Sequence, residues 1–167
     1  MSRRAFLSKH IAFWTLFTIL GLWGQFFMPG TDFFTPGLVV LLQFGFFNAA
    51  FWLGCLWMLL LEGTGNLAFG TIILYYTGLV MAYSLASVFF EARNVLFMGL
   101  LYLFLAVLKQ TLVLVMAGMQ DLGQSVRMDA ETVFVQFAVY FILWVLTYNF
   151  FYKCIMHELV RRKKPAA

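Results

Sequence analysis

Two ionisable side chains stand out in a chain that has few of them: Glu62, in Leu61-Glu62-Gly63-Thr64-Gly65-Asn66, and Lys109, deep within a long apolar run. A lysine near mid-membrane costs about 2.5–3.5 kcal/mol on insertion scales, so it must face a bundle interior, a polar cavity or another helix. Three readings of Lys109 follow. It forms an ion pair with Glu62, which lies in the same half of the membrane. Alternatively it hydrogen-bonds Asn48, Gln110 or backbone carbonyls, or it lines a ligand pocket. Asn48 and Lys109 are therefore the buried polar candidates.

The other reactive side chains are scattered. His10 and His157 stand beside basic residues, with no His-Glu-x-x-His or Cys-x-x-Cys spacing in the chain. Gly-x-Ser-x-Gly, P-loop and Gly-x-Gly-x-x-Gly patterns are also missing from the sequence, and Gly63-Thr64-Gly65 is too short to cradle phosphate. No catalytic residue, metal or cofactor is assigned. Asp129 and Glu131 read as solvated loop carboxylates, and Cys55 and Cys154 as packing residues.

The elements that must position these residues are helices in lipid. Of the 167 residues, 63% are hydrophobic and 11% charged, with 21 Phe and 5 Trp, and the mean hydropathy is +0.91. That composition belongs to an all-α integral membrane protein. Four runs are long enough to span: Ile11 to Met28, Leu67 to Phe90, Val95 to Gly118 and Val133 to Tyr152. The apolar stretch from Pro36 to Leu61 either crosses once or forms a hairpin.

Charge parity decides between them. One crossing would place the basic cluster Arg161 to Lys164 on the side opposite Arg3 and Arg4. A hairpin leaves both basic ends and Arg93 in the cytoplasm, with the loops around Asp32, Glu62 and Met119 to Thr132 outside, as the positive-inside rule requires. The expectation is a six-helix bundle, N-in and C-in, with spans at about 11–28, 36–47, 50–61, 67–90, 95–118 and 133–155. Residues 1–10 and 156–167 form cytoplasmic tails, the latter basic. Helices 2 and 3 are short or re-entrant, turning near Gln43, Gly45 and Asn48. Gly78, Ala82 and Ala86 recur every four residues and form a helix-packing face, whose partner lies in this chain or another, a homo-oligomer included. Basic ends fit contact with membrane lipids rather than nucleic acid.

Thr35-Pro36-Gly37-Leu38-Val39-Val40-Leu41-Leu42, then Leu61-Glu62-Gly63-Thr64-Gly65-Asn66-Leu67-Ala68-Phe69-Gly70, then Ala82-Tyr83, resembles the rod-shape-determining MreD family of bacterial inner-membrane proteins. The resemblance covers about half the chain. Its matching positions are Pro36, at the entry to the second helix, Glu62, where the family usually has Asp, Gly65 in the small-residue break, and Gly70. It implies a multi-pass, non-catalytic scaffold of the bacterial cytoplasmic (inner) membrane. Such a scaffold joins a bitopic MreC-like protein and other elongation-complex membrane proteins, and with them peptidoglycan synthesis, to the cytoskeleton. The alternative is the substrate-binding membrane component of an energy-coupling-factor vitamin transporter, with Lys109 and Glu62 lining an outward pocket. The first helix lacks the Ala-x-x-x-Ala face characteristic of those components.

Overall fold

The computed structural model describes residues 3–63, 70–90, 94–119 and 129–163, and the side chains among residues 10–63, 70–90, 94–119 and 129–153. It is all-helical: α1 (Arg3–Phe27), α2 (Thr35–Gln43), α3 (Phe47–Gly63), α4 (Thr71–Phe89), α5 (Val95–Met119) and α6 (Ala130–Lys163). Four windows are long and apolar enough to cross a membrane: His10–Phe27, Thr71–Phe89, Val95–Met119 and Ala130–Lys153.

The ambiguous apolar stretch is two helices. α2 begins with Pro36 in its first turn, where a missing N–H costs nothing, and ends at a left-handed Gly45 with φ 73°. The N–H of Gly45 reaches the Leu42 carbonyl (3.0 Å) and that of Phe46 the Leu41 carbonyl (2.9 Å), the paired bonds of a Schellman cap. The turn therefore falls between Gln43 and Asn48, and the backbone released there is satisfied by α2 itself. With nine residues, α2 is ~13 Å long. Thr35 through Leu42 are all buried, as expected of a helix that is apolar on every side.

Around this central rod the other helices run alternately up and down. The early part of α1 meets the late part of α6, where Phe13 stacks on Phe150 at 5.1 Å and His10 meets Phe151 edge-on at 5.3 Å. Phe46, in the α2–α3 turn, also meets Phe151. At this end Phe90 stacks on Phe97 between α4 and α5. At the opposite end Gly70, which starts α4, lies beside Met116 near the end of α5.

The sequence marks these ends with opposite charge. Segments connecting at the first contain Arg3, Arg4, Lys9, Arg93, Lys153 and Arg161 to Lys164, against Glu91 and Glu158. Segments connecting at the second contain Asp32, Glu62, Asp121, Asp129 and Glu131, against Arg127. We call them the basic and acidic ends. Asn94 caps α5 by accepting the Leu96 N–H at 2.9 Å, and Asp129 accepts the N–H of Glu131 at the start of α6.

α1 is attached through aromatic rings set against glycine. A Cβ at Gly21 would collide with the Phe34 ring, one at Gly24 would lie 2.9 Å from Phe33, and one at Gly37 would lie 2.7 Å from Phe17 and 3.0 Å from Trp57. Phe34 in turn stacks on Trp57 at 5.2 Å, and Trp57 donates its indole N–H to Thr18 at 2.9 Å.

Candidate functional site

The buried polar centre of the bundle gathers on the connection between α1 and α2. Met28 to Phe34 leaves helical geometry, with Gly30 at φ 84°; Met28 to Gly30 are exposed, whereas Asp32 and Phe34 are buried, with backbone groups that lie among apolar helices. Each needs a protein partner. Lys109 donates to the Gly30 carbonyl at 2.6 Å and to Gln136 Oε1 at 2.9 Å. Gln136 grips the Asp32 peptide on both sides: Oε1 accepts the Asp32 N–H at 3.1 Å, and Nε2 donates to the Asp32 carbonyl at 3.0 Å. Two side chains from α5 and α6 thus replace the partners that a helix or water would supply.

The Asp32 side chain does the complementary job for α2. Its Oδ1 accepts the N–H of Phe34 at 2.7 Å and, more weakly, that of Thr35 at 3.4 Å, which are free donors at the helix start. Its Oδ2 accepts the hydroxyls of Thr35 and Tyr140. The Tyr75 hydroxyl lies 2.8 Å from that of Tyr140 and 3.2 Å from that of Thr35, so the three hydroxyls and the carboxylate form one buried cluster. Asp32, Thr35, Lys109 and Gln136 are 0–5% exposed. Lys109 lies ~15 Å from the end of α5, and Gln136 ~9 Å from the start of α6, which puts the cluster in the acidic half of the bundle. Asp32 supplies the opposite charge that acts on Lys109.

Glu62 has a separate role. Its carboxylate accepts the Gly70 N–H at 3.1 and 3.0 Å and the Ile72 N–H at 3.1 Å, capping α4 from the end of α3. Gly70 is left-handed (φ 86°) with no side chain to cap the helix itself, so the acid eight residues earlier supplies the acceptor. The Glu62–Lys109 pair considered from sequence is therefore replaced by two independent sets of bonds. Lys109 uses a backbone carbonyl, one of the readings above, but Gln136 stands where Asn48 or Gln110 was expected. Asp32, read as an outer-loop acid, is buried.

The remaining sequence-derived residues fall as follows. Pro36 is buried in the first turn of α2. Asn48, expected to be buried, is exposed. The inward face of α3 is taken by Ala50, Gly54, Trp57 and Leu61, and Asn48 lies off that stripe at the mouth of a lateral groove. Gly65 lies outside the described residues. Gly78, Ala82 and Ala86 face α5: a Cβ on Gly78 would lie 3.1 Å from Leu108, and Ala82 and Ala86 border Phe97, Leu101 and Phe104. The partner of that small-residue face is therefore α5 of the same chain.

Sequence reasoning missed Asp32, Thr35, Tyr75, Gln136 and Tyr140. Gln136, Tyr140 and Trp144 recur every four residues on α6, and Trp144 donates to Gln43 at 3.0 Å, so this polar stripe was the available signal. No family model, curated protein or solved structure matches the chain.

Proposed function

We propose that the chain is a six-pass membrane scaffold of the bacterial rod-shape machinery, non-catalytic, with the basic end in the cytoplasm. On this reading it acts through lateral contacts with an MreC-like single-span protein and other membrane proteins of the elongation complex. The observation that carries the reading is the Glu62–Gly70 clamp. The resemblance rests on an acid followed eight positions later by glycine, and the carboxylate here spends its acceptor capacity on the amides of Gly70 and Ile72. That gives the spacing a structural purpose: it fixes how α3 turns into α4.

The deeper polar groups have the same character. Lys109, Gln136 and Asp32 tie α1–α2 to α5 and α6, and their bonds hold helices together. Most large side chains that face outward are apolar, and a groove of about 610 Å³ with a mainly apolar lining is bordered by α2, α3 and α4. The vitamin-transporter alternative needs Lys109 and Glu62 to serve one pocket, whereas they hold separate partners. Charge separation between the ends supports cytoplasmic placement of the basic one. Depletion in a rod-shaped host tests the proposal: cells should round up before they stop growing, and unchanged shape after clean deletion contradicts it.

A further inference from the structure

Pro29 and Gly30 hold peptide groups that lipid cannot serve. α1 ends at Phe27, and the Met28 N–H still reaches the Gly24 carbonyl at 2.9 Å. The next carbonyl, that of Gln25, would be served by the N–H of residue 29, but that residue is proline. The Thr31 N–H turns to the Met28 carbonyl at 3.1 Å instead of continuing the helix. Among the described residues, the carbonyls of Gln25, Phe26, Phe27 and Pro29 and the N–H of Gly30 therefore have no hydrogen-bond partner, and neither does the buried Nε2 of Gln25. Met28, Pro29 and Gly30 are exposed, so the chain leaves this turn uncovered.

The turn lies well inside the span. Its Gly30 carbonyl is held by Lys109, seven residues before Met116, which stands beside Gly70 at the start of α4. Seven residues of helix are ~10 Å. Gln136, which holds the adjoining Asp32 peptide, gives a similar depth, ~9 Å from the start of α6. Nearer the acidic end than these levels, α5 still exposes Leu114 and Val115, and α6 exposes Phe134, so apolar surface for lipid continues beyond the turn. Non-helical backbone at membrane depth is tolerated only where protein buries it or where it lines a water-filled cavity. Lipid tails offer no donor for four carbonyls, and a neighbouring apolar helix spends its own N–H groups internally. Water supplies both donors and acceptors.

We propose that the acidic end of the bundle contains a water-filled vestibule that descends to Pro29 and Gly30 and stops at the Lys109–Gly30 bond. Lys109, 3% exposed, closes its floor. The vestibule rests on the membrane-spanning reading of the chain and not on its role in cell shape. It brings water, and small ions dissolved in it, to the middle of the bundle without a crossing of lipid.

Thiol reactivity tests this, because the thiolate is the reacting form and needs water around it. The full chain carrying Cys55→Ala and Cys154→Ala receives one cysteine at a time in membrane vesicles of either orientation: Pro29→Cys at the floor, Val115→Cys on the lipid-facing side nearer the acidic end, and Glu131→Cys as the exposed acidic-end reference. The probe is a membrane-impermeant methanethiosulfonate bearing a quaternary ammonium. Pro29→Cys should react about tenfold or more faster than Val115→Cys although it lies deeper, and from the same membrane face as Glu131→Cys. If that shared face is the cytoplasmic one, the orientation proposed above fails and the vestibule stands. Reaction of Pro29→Cys no faster than Val115→Cys, or only from the face opposite Glu131→Cys, would overturn it. Hydrogen exchange of the unsubstituted chain in nanodiscs, resolved to single residues, needs no variant at the turn. The Gly30 amide should exchange within seconds at neutral pH, and protection lasting minutes or longer would overturn the proposal as well.

Discussion

Lys109 provides the sharpest test of how the interior is wired, because sequence and structure assign it different counter-charges. Replacing it with methionine keeps the length and removes two bonds, to the Gly30 carbonyl and to Gln136 Oε1. Hydrogen bonds to charged groups contribute about 1.5–3 kcal/mol each. In membranes the unfolded reference also finds partners, which lowers such values to about 0.6–1.7 kcal/mol. Lys109→Met should therefore cost about 2–3 kcal/mol. Asp32→Asn retains shape but leaves the buried ammonium without its opposing charge.

Gln136 bonds both Lys109 and the Asp32 backbone, and so stands between the two charged groups. Two unit charges ~7 Å apart at an effective dielectric constant of ~20 interact by about 2–3 kcal/mol. The double variant should accordingly fall short of the sum of the singles by about 1–2 kcal/mol. The parallel cycle with Glu62→Gln should be additive to within about 0.5 kcal/mol, since Glu62 and Lys109 share no partner. Reversible unfolding in mixed micelles, followed by far-ultraviolet circular dichroism, measures the parent and all five variants. Additivity between Asp32 and Lys109, or stronger coupling to Glu62, would refute the assignment.

Other expectations follow from the same contacts. Gly37→Ala forces a Cβ to within 2.7 Å of Phe17 and 3.0 Å of Trp57, and should destabilise by about 1–3 kcal/mol in the same unfolding assay, whereas Gly99→Ala, with nothing within 4 Å, should not. Glu62→Ala should cost about 1–2 kcal/mol by uncapping α4, and faster amide exchange at Ile72 and its neighbours should accompany it. Tyr140→Phe removes a hydroxyl shared with Asp32 and Tyr75 and should cost about 1–2 kcal/mol, while Tyr102→Phe, whose buried hydroxyl has no hydrogen-bond partner among the described residues, should be neutral or stabilising by thermal melting.

The helices were legible because lipid leaves the backbone little choice. Apolar runs separated by Gly, Pro and charge gave six elements, and the structure places the limits of α2 to α5 within about four residues, α5 at Val95–Met119 against 95–118, whereas α1 begins at Arg3, eight residues before the expected start and within the stretch expected to be a tail. α6 is longer than expected, reaching Lys163, because hydropathy marks the apolar part of a helix and not its polar continuation. Gly45 was readable as a turn because it interrupts an uncharged run. Lys109 was readable as interior-facing from the cost of exposing it. Its partners were not, since hydropathy cannot say which connection dips into the bundle. Asp32 looked like an ordinary loop acid, although Asp-Phe-Phe-Thr-Pro is also a helix-start pattern in which the acid serves the amides that follow. Asn48 looked buried because it lies in apolar sequence, but position in a run does not fix which face of a helix a residue occupies. The partner of the Gly78 stripe required knowing that α4 and α5 are neighbours.

The central claim is that this bundle works through its lateral faces, as a scaffold. The direct measurement is affinity purification of the full chain from its native membrane, with quantitation of every co-purifying protein and small molecule. The account predicts a single-span, coiled-coil membrane protein in near-stoichiometric amount and no tightly held vitamin. A monomeric, partner-free protein that carries a bound vitamin would contradict it.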